Sequence, residues 1–279
     1  MEFQPLERLA QSLQARDMAV FPVVHAGVDE HVSVVGERMQ RDDFSHMPLR
    51  DAAGRVVRVL EREATSGKTG RAYDAAVPLD SEKHVVRADA PLPTVLAKLP
   101  RSGFLLVSSK ESGWQDRIAG IINHADVVSL PVRLFIYART MQLEKRVFEA
   151  ISGMNWKDTE GLADLWNRID ARYKKAGEQR SCRETYLEFR DVMRIGQMRQ
   201  MIGLRNGDEL DLLCTARNFA CHATIDAPAD NLRPEEIPTE VERCVILVER
   251  LLSSCYPDSG SSVESLGFTD GIIPPRRVR

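Results

Sequence analysis

The chain has 279 residues, of which 43% are hydrophobic and 28% are charged. This length suits roughly two domains, and the hydrophobic fraction suffices for a buried core in each. The charges nearly cancel to a net of -3, which excludes a protein that holds nucleic acid through a global basic field. No apolar stretch approaches the length of about 18 residues that spans a membrane, and no signal peptide is evident, so we expect a cytoplasmic protein.

The first 130 residues alternate short β-branched runs with short helical patterns. The predicted strands cover 20–24, 55–60, 103–108 and 117–122, and the predicted helices include 34–40 and 92–99. Beyond Pro131 the strand-like runs disappear and helical periodicity takes over. The sequence therefore predicts one domain over 1–130 and a second over 131–256.

Two segments of the first part can be laid over one another. They are 34–60, VVGERMQRDDFSHMPLRDAAGRVVRVL, and 92–128, LPTVLAKLPRSGFLLVSSKESGWQDRIAGIINHADVV. Each reads helix, strand, turn, strand, so they form an internal repeat. The stretches FSHMPLRDAAGRVVRVL and GIINHADVV resemble the CBS-domain family, whose repeats pair into a module that typically binds adenosine-containing ligands. The resemblance implies an α+β fold class, with tandem CBS-like repeats of small sheets and helices over 1–130.

The stretch GIINHADVV is similar to the family pattern of Gly, two apolar residues, Thr or Ser, two further residues and Asp. In that pattern a polar side chain at the strand end reaches a phosphate or ribose, and the Asp accepts from ribose hydroxyls. The resemblance implies Asn123, His124 and Asp126 as ligand-binding residues and an adenine nucleotide as a regulatory ligand. Asn replaces Thr or Ser here, and the first repeat has Glu61 and Ala64 at the two key positions, so we expect one competent cleft. The alternative is that Asp126 only caps the next helix and that the module serves dimerisation.

The second part divides into about five amphipathic helices, which is typical of a helical bundle. The predicted helices are 132–151, 159–175 and three that begin at the capping boxes Ser181 to Glu184, Asn206 to Glu209 and Thr239 to Glu242. The stretch 257–279 is rich in Ser, Gly and Pro and predicts a disordered tail.

All five cysteines lie in this second part, without a Cys-x-x-Cys pair or a histidine cluster. Zinc sites need such clusters, so we expect no metal. Disulfides are not expected in a cytoplasmic protein, and the cysteines are interpreted as small buried residues.

The fourth predicted helix ends in Arg-Asn-Phe-Ala-Cys-His. This stretch resembles the HEPN superfamily, whose hallmark is Arg, four to six residues and His, with a polar residue after the Arg. Arg217, Asn218 and His222 match that hallmark and are the catalytic residues that the resemblance implies. It also implies an all-α domain, a site shared across a homodimer, and RNA cleavage that requires no metal or other cofactor. The structural alternatives are a His that interacts with the helix dipole and an Arg in a surface ion pair.

In such cleavage a neutral His takes the proton of a ribose 2′-hydroxyl, whose oxygen attacks the neighbouring phosphorus, while a guanidinium neutralises the developing charge. The sequence thus predicts a nucleotide-regulated endoribonuclease that acts on RNA as a dimer, of the kind found in toxins or antiviral defence. The alternative, from another class, is a non-catalytic scaffold that senses an adenine nucleotide, dimerises, and docks RNA or a partner protein.

Overall fold

The computed structural model describes residues 4–109, 117–152, 160–175, 187–221 and 236–255. The chain divides into two compact units. One unit holds the described residues of 12–132 and 232–242, and the other holds those of 1–11, 133–231 and 243–279.

Among the described residues the helices are α1 (Gln4–Ser12), α2 (Ala15–Met18), α3 (Val32–Arg41), α4 (Ala72–Ala75), α5 (Ser81–His84), α6 (Leu92–Ser102), α7 (Leu130–Ser152), α8 (Ala163–Lys175), α9 (Phe189–Met198), α10 (Gly207–Cys221) and α11 (Ile237–Ser254). The strands are β1 (Ala26–Gly27), β2 (His46–Arg50), β3 (Val56–Glu61), β4 (Val77–Pro78), β5 (Val85–Arg87), β6 (Phe104–Ser108) and β7 (Ile118–Asn123). The 3₁₀ turns Arg62–Thr65 and His124–Val128 follow β3 and β7.

The first unit contains two small sheets, with strand orders β1-β2-β3-β4 and β5-β6-β7. In each sheet a helix leads into an antiparallel pair of strands and a 3₁₀ turn: α3, β2 and β3 in one, and α6, β6 and β7 in the other. A further strand, β1 or β5, pairs in parallel with the first strand of the hairpin. The internal repeat predicted from the sequence is therefore confirmed as a mixed α/β arrangement of small sheets and helices.

The prediction of a strand over 20–24 is wrong, although this segment runs along the edge of β7. The Val20 amide donates to the Ile121 carbonyl at 2.9 Å, and the Val23 amide donates to the Ala119 carbonyl at 3.1 Å. Between them Pro22 has no N–H, so the ladder of hydrogen bonds is broken after the single bridge at Val20.

An equivalent crossing precedes the second repeat. There β4 pairs with β3 of the first sheet, with Val77 opposite Val59, before the chain enters β5 of the second sheet. In each repeat, the segment that precedes the first strand therefore pairs with the edge of the other repeat's hairpin.

Side chains on β3 alternate between two cores, as the period of two along a strand requires. Leu60 packs into the core of its own repeat with residues of α3 and β2, including Met39 and Leu49. Val59 faces the other way and packs with residues of the second sheet, including Phe104 and Ile121. This second core joins the two repeats into one unit.

The described residues of the second unit contain helices and no strand. The apolar positions Phe135, Val147 and Ile151 of α7 are buried, whereas Phe148 is 36% exposed. In α8, Leu165 and Ile169 are buried.

Of the predicted helix starts, one is confirmed, one is wrong and one lies outside the described residues. The Asn206 cap is confirmed, because the Glu209 amide donates to Asn206 Oδ1 at 3.0 Å and α10 begins at the next residue. The Thr239 cap is wrong, because α11 already begins at Ile237. Ser181 and Glu184 lie outside the described residues, as does the predicted tail 257–279.

The cysteines are not uniformly buried. Cys244 is buried, Cys214 and Cys255 are half-buried, and Cys221 is exposed at the end of α10, which corrects the expectation for that residue. Cys182 lies outside the described residues. In the part of the chain that the structure describes, no group of three or more His, Cys, Asp or Glu side chains could hold a metal ion. Over the same residues, no helix is long and apolar enough to cross a bilayer.

Candidate functional site

The open ends of the two hairpins lie against one another in the first unit. In the first hairpin His46 pairs with Glu61, and in the second Phe104 pairs with Asn123. The His46 and Phe104 rings are 4.9 Å apart, centroid to centroid. We call the residues gathered here, His46, Phe104, Asn123, His124 and Asp126, the strand-end cluster.

Asn123 and Asp126 come together because the 3₁₀ turn after β7 folds back on itself. Asp126 Oδ2 accepts a hydrogen bond from the Asn123 amide at 2.6 Å, so this carboxylate caps the turn. Burial raises the pKa of Asp126, and the Asn123 amide bond opposes that rise. Asn123 Oδ1 is buried near the His46 imidazole, and no described residue donates to it with full hydrogen-bond geometry. A buried acceptor without a donor costs free energy, so a ligand hydroxyl would find an unmet acceptor at this point.

The imidazoles of the cluster belong to different repeats. His124 is half-buried, with Nε2 lying 3.4 Å from the Leu99 carbonyl oxygen. Burial lowers the pKa of His46 to about 4, while the nearby Glu63 carboxylate and Asn123 amide oppose the shift. His46 is therefore neutral near pH 7, where its ring can donate one hydrogen bond and accept another.

The Phe104 ring contacts two imidazole rings. The His46 ring lies on one side at a tilt of 43°, and the His84 ring stacks on it at 4.9 Å and 7°. Burial also lowers the pKa of His84. His46 and Phe104 were not predicted as site residues; they are the first residues of β2 and β6, which pair with β3 and β7.

In the first repeat the equivalent turn carries different chemistry. Its strand β3 ends at Glu61, as β7 ends at Asn123, and Ala64 stands at the position of Asp126. Arg62, at the position of His124, instead donates to Asp43 Oδ1 at 2.8 Å. The first turn therefore has no carboxylate at the position where the second turn has Asp126.

Two of the three candidate catalytic residues, Arg217 and Asn218, lie near the end of α10 in the second unit. Arg217 is half-buried, and its Nε is buried with no hydrogen-bond partner among the described residues. Asn218 is exposed and Phe219, which follows it, is buried. The third candidate, His222, lies outside the described residues.

Arg217 lies near residues of two other helices, α9 and α7. Its guanidinium carbon lies 5.7 Å from the centroid of the Phe189 ring of α9, within the range of a cation–π contact. Burial raises the pKa of Glu144 on α7, and the positive charge of Arg217 opposes that rise. Glu144 Oε2 is buried and has no hydrogen-bond partner among the described residues. A cation and a carboxyl group thus lie near one another, each with an unsatisfied polar atom.

No family model matches the chain, and no curated protein matches it. Solved structures of CBS domains do match. The CBS domain pair of a protein in complex with 5′-methylthioadenosine and S-adenosyl-L-methionine is 15% identical, with 42% of this chain and 94% of that chain covered and a TM-score of 0.36. The CBS domain of the bacterial CNNM/CorC family Mg²⁺ transporter in complex with ATP is 12% identical, with 47% and 94% covered and a TM-score of 0.37.

A hemolysin-like protein of Oenococcus oeni that contains a CBS domain is 15% identical, with 46% and 96% covered and a TM-score of 0.35. Each of these structures covers less than half of this chain. At such TM-scores the likeness decides nothing about the ligand or activity of this chain.

Proposed function

We propose that the chain is a nucleotide-regulated, metal-independent endoribonuclease that acts as a homodimer. In this proposal the paired CBS-like repeats bind an adenine nucleotide, and a HEPN-like helical domain cuts RNA with Arg217, Asn218 and His222. The observation that carries the sensing half is the strand-end cluster. It joins His46 of the first repeat to Asn123, His124 and Asp126 of the second.

The cluster offers the groups that an adenosine ribose would need. Asn123 Oδ1 is a buried acceptor without a donor, and a ribose hydroxyl can supply that donor. Asp126 can accept from the neighbouring hydroxyl through its second oxygen, since one oxygen already caps the turn. The neutral imidazole of His46 adds a donor without adding charge to a half-buried place.

Calorimetry with AMP, ATP and S-adenosylmethionine on the full chain tests the sensing half. Asp126→Ala should weaken binding by about tenfold or more, the usual effect of losing a charged hydrogen bond. The matched control is Asp51→Ala, because Asp51 also accepts from backbone amides, Ala53 and Arg55 at 3.0 and 2.9 Å, but at the opposite end of its hairpin.

Equal losses in the two variants would make Asp126 a structural cap and nothing more. If the parent protein binds none of the three nucleotides, the sensing proposal is wrong.

For the catalytic half, the supporting observation is the state of Arg217. A guanidinium that is half-buried, lies against an aromatic ring and keeps an unpaired Nε is already oriented and still able to donate to phosphate oxygens. In the proposed reaction His222 removes the 2′-hydroxyl proton, and the 2′-oxygen bonds to phosphorus as the bond from phosphorus to the 5′-oxygen breaks. The leaving 5′-oxygen takes up a proton from water, and Arg217 neutralises the charge on the equatorial oxygens.

Cleavage of mixed RNA by the dimer, with and without nucleotide and in chelator, tests this half. Products should end in 2′,3′-cyclic phosphate, and a 2′-deoxy substitution at the cut site should abolish cutting while RNA binding persists. Arg217→Ala and His222→Ala should each lose on the order of 10² to 10⁴ in rate. The matched control is Arg190→Ala, because Arg190 is exposed and already paired with Asp211.

A nucleotide-saturated dimer that does not cut RNA, or cuts it no faster than the double variant, would contradict the proposal. The second candidate function, a non-catalytic nucleotide-sensing scaffold, would then take its place.

A further inference from the structure

A hollow of about 470 Å³ lies at the ends of β2 and β7 farthest from the strand-end cluster. Arg50, the last residue of β2, and Ile118, the first residue of β7, line it. The segment in front of β1 completes the lining with Phe21 and His25 among its residues. The volume falls within the range of roughly 300–1,000 Å³ that is usual for small-ligand pockets.

One wall of the hollow is apolar and held in place. A Cβ on Gly120 would come within 2.7 Å of the Phe21 ring, so this ring lies directly on the backbone of β7. Beside it Val23 and Ile118 are buried, while Phe21 itself is 45% exposed. The wall therefore offers an aromatic face that a flat molecule could cover.

The other side of the hollow is polar and carries unpaired groups. Arg50 Nε and His25 Nε2 are buried, and neither has a hydrogen-bond partner among the described residues. Within the same part of the chain, no carboxylate forms an ion pair with Arg50, and the neighbouring Asp51 pairs with Arg55 at 2.8 Å. Desolvation and the charge of Arg50 lower the pKa of His25 to about 4, so the imidazole is neutral near pH 7.

A half-buried guanidinium without a counter-ion is unfavourable, and an anion that pairs with it regains much of that free energy. We propose that this hollow binds a small organic anion with a flat apolar body. Its carboxylate or phosphate pairs with Arg50, His25 contributes one further hydrogen bond, and its body packs on Phe21. The site is separate from the strand-end cluster, because it lies at the other ends of the same strands.

Ligand-observed NMR titrations on the full chain test the proposal with 2-naphthoate and 2-naphthyl phosphate as probes. Both should bind, with dissociation constants on the order of 1 mM or below for ligands of this size, and the tighter of the two identifies the preferred anion. Arg50→Gln should weaken both by about tenfold or more. Ala119→Glu, at an exposed position on the rim, should do the same because it sets a carboxylate beside Arg50.

The matched control is Arg41→Gln, since Arg41 is an exposed arginine paired with Asp42 on α3, and it should leave binding unchanged. Naphthalene-2-carboxamide and acetate, which each lack one half of the recognised chemistry, should bind at least several-fold more weakly. The proposal is overturned if neither probe binds, if both rim variants bind as the parent does, or if AMP displaces the probes and thereby makes the hollow part of a nucleotide site.

Discussion

Two histidines of the first unit are held neutral by their surroundings. The pKa of His46 and that of His25 both fall to about 4 from the ordinary value of 6.5, chiefly because burial disfavours the charged ring. In the unfolded chain both rings regain the ordinary value. The unfolded state therefore binds more protons than the folded state between about pH 4 and pH 6.5.

The sign of the pH dependence follows. The free energy of unfolding has its full value above about pH 6.5, where both rings are neutral in either state. It decreases as the pH falls toward the folded pKa values, because the unfolded state then binds more protons. Replacing His46 by Gln should flatten the decline in the free energy of unfolding by on the order of 1 kcal/mol between about pH 7 and pH 5, after allowance for partial exposure. Urea titrations at several pH values measure this slope. Parallel slopes for the variant and the parent would contradict the inferred pKa of His46.

The sequence predicted which site residues lie together when they are close along the chain, but not when they are far apart along it. Asn123 and Asp126 could be paired in advance because three residues of a single turn join them. His46 could not, because its place beside Asn123 depends on how the two hairpins pack in the folded unit. Arg50 and His25 were missed for the same reason, and neither belongs to a motif that marks a binding residue.

A cap at its first turn stabilises α10, the helix that carries Arg217 and Asn218. Asn206 accepts from the Glu209 amide at 3.0 Å, and Glu209 in return accepts from the Arg205 amide at 2.8 Å. The first bond satisfies an amide that the helix itself leaves unpaired, and the second holds the residue before the cap.

Loss of this cap should weaken the whole second unit. Asn206→Ala should lower the free energy of unfolding by about 1 kcal/mol, whereas Asn206→Asp should retain most of it because Asp also caps well. Thermal or urea unfolding of the two variants provides the comparison. If both variants unfold alike, the side-chain oxygen of Asn206 does not stabilise α10.

At the scale of elements, periodicity identified the long helices, β3 of the first hairpin and both strands of the second. The repeat pattern alone indicated a strand where β2 lies, and the short strands β1, β4 and β5 were not predicted. Periodicity gave wrong bounds where a backbone property sets the limits of an element. The run 20–24 has the β-branched composition of a strand, but Pro22 interrupts its ladder. The start of α11 was misplaced because Thr239 and Glu242 fit a capping box equally well from inside a helix.

For the whole molecule, the proposed catalysis requires two copies. A site that needs two Arg217 and two His222 side chains exists only in a dimer, so light scattering should give about twice the chain mass of 31.4 kDa at micromolar concentration. A strict monomer would exclude a composite site. In that case the Arg and His of one chain would have to act alone.

The exchange of edge segments between the repeats bears on how the first unit unfolds. Val20 pairs with the hairpin of the second repeat, and Val77 pairs with that of the first. Neither sheet can lose its partner without exposing an unpaired edge and half of the shared core. Denaturant should consequently unfold both repeats in one cooperative step. A fragment with a single repeat should aggregate, or pair its free edge with the missing strand of another copy.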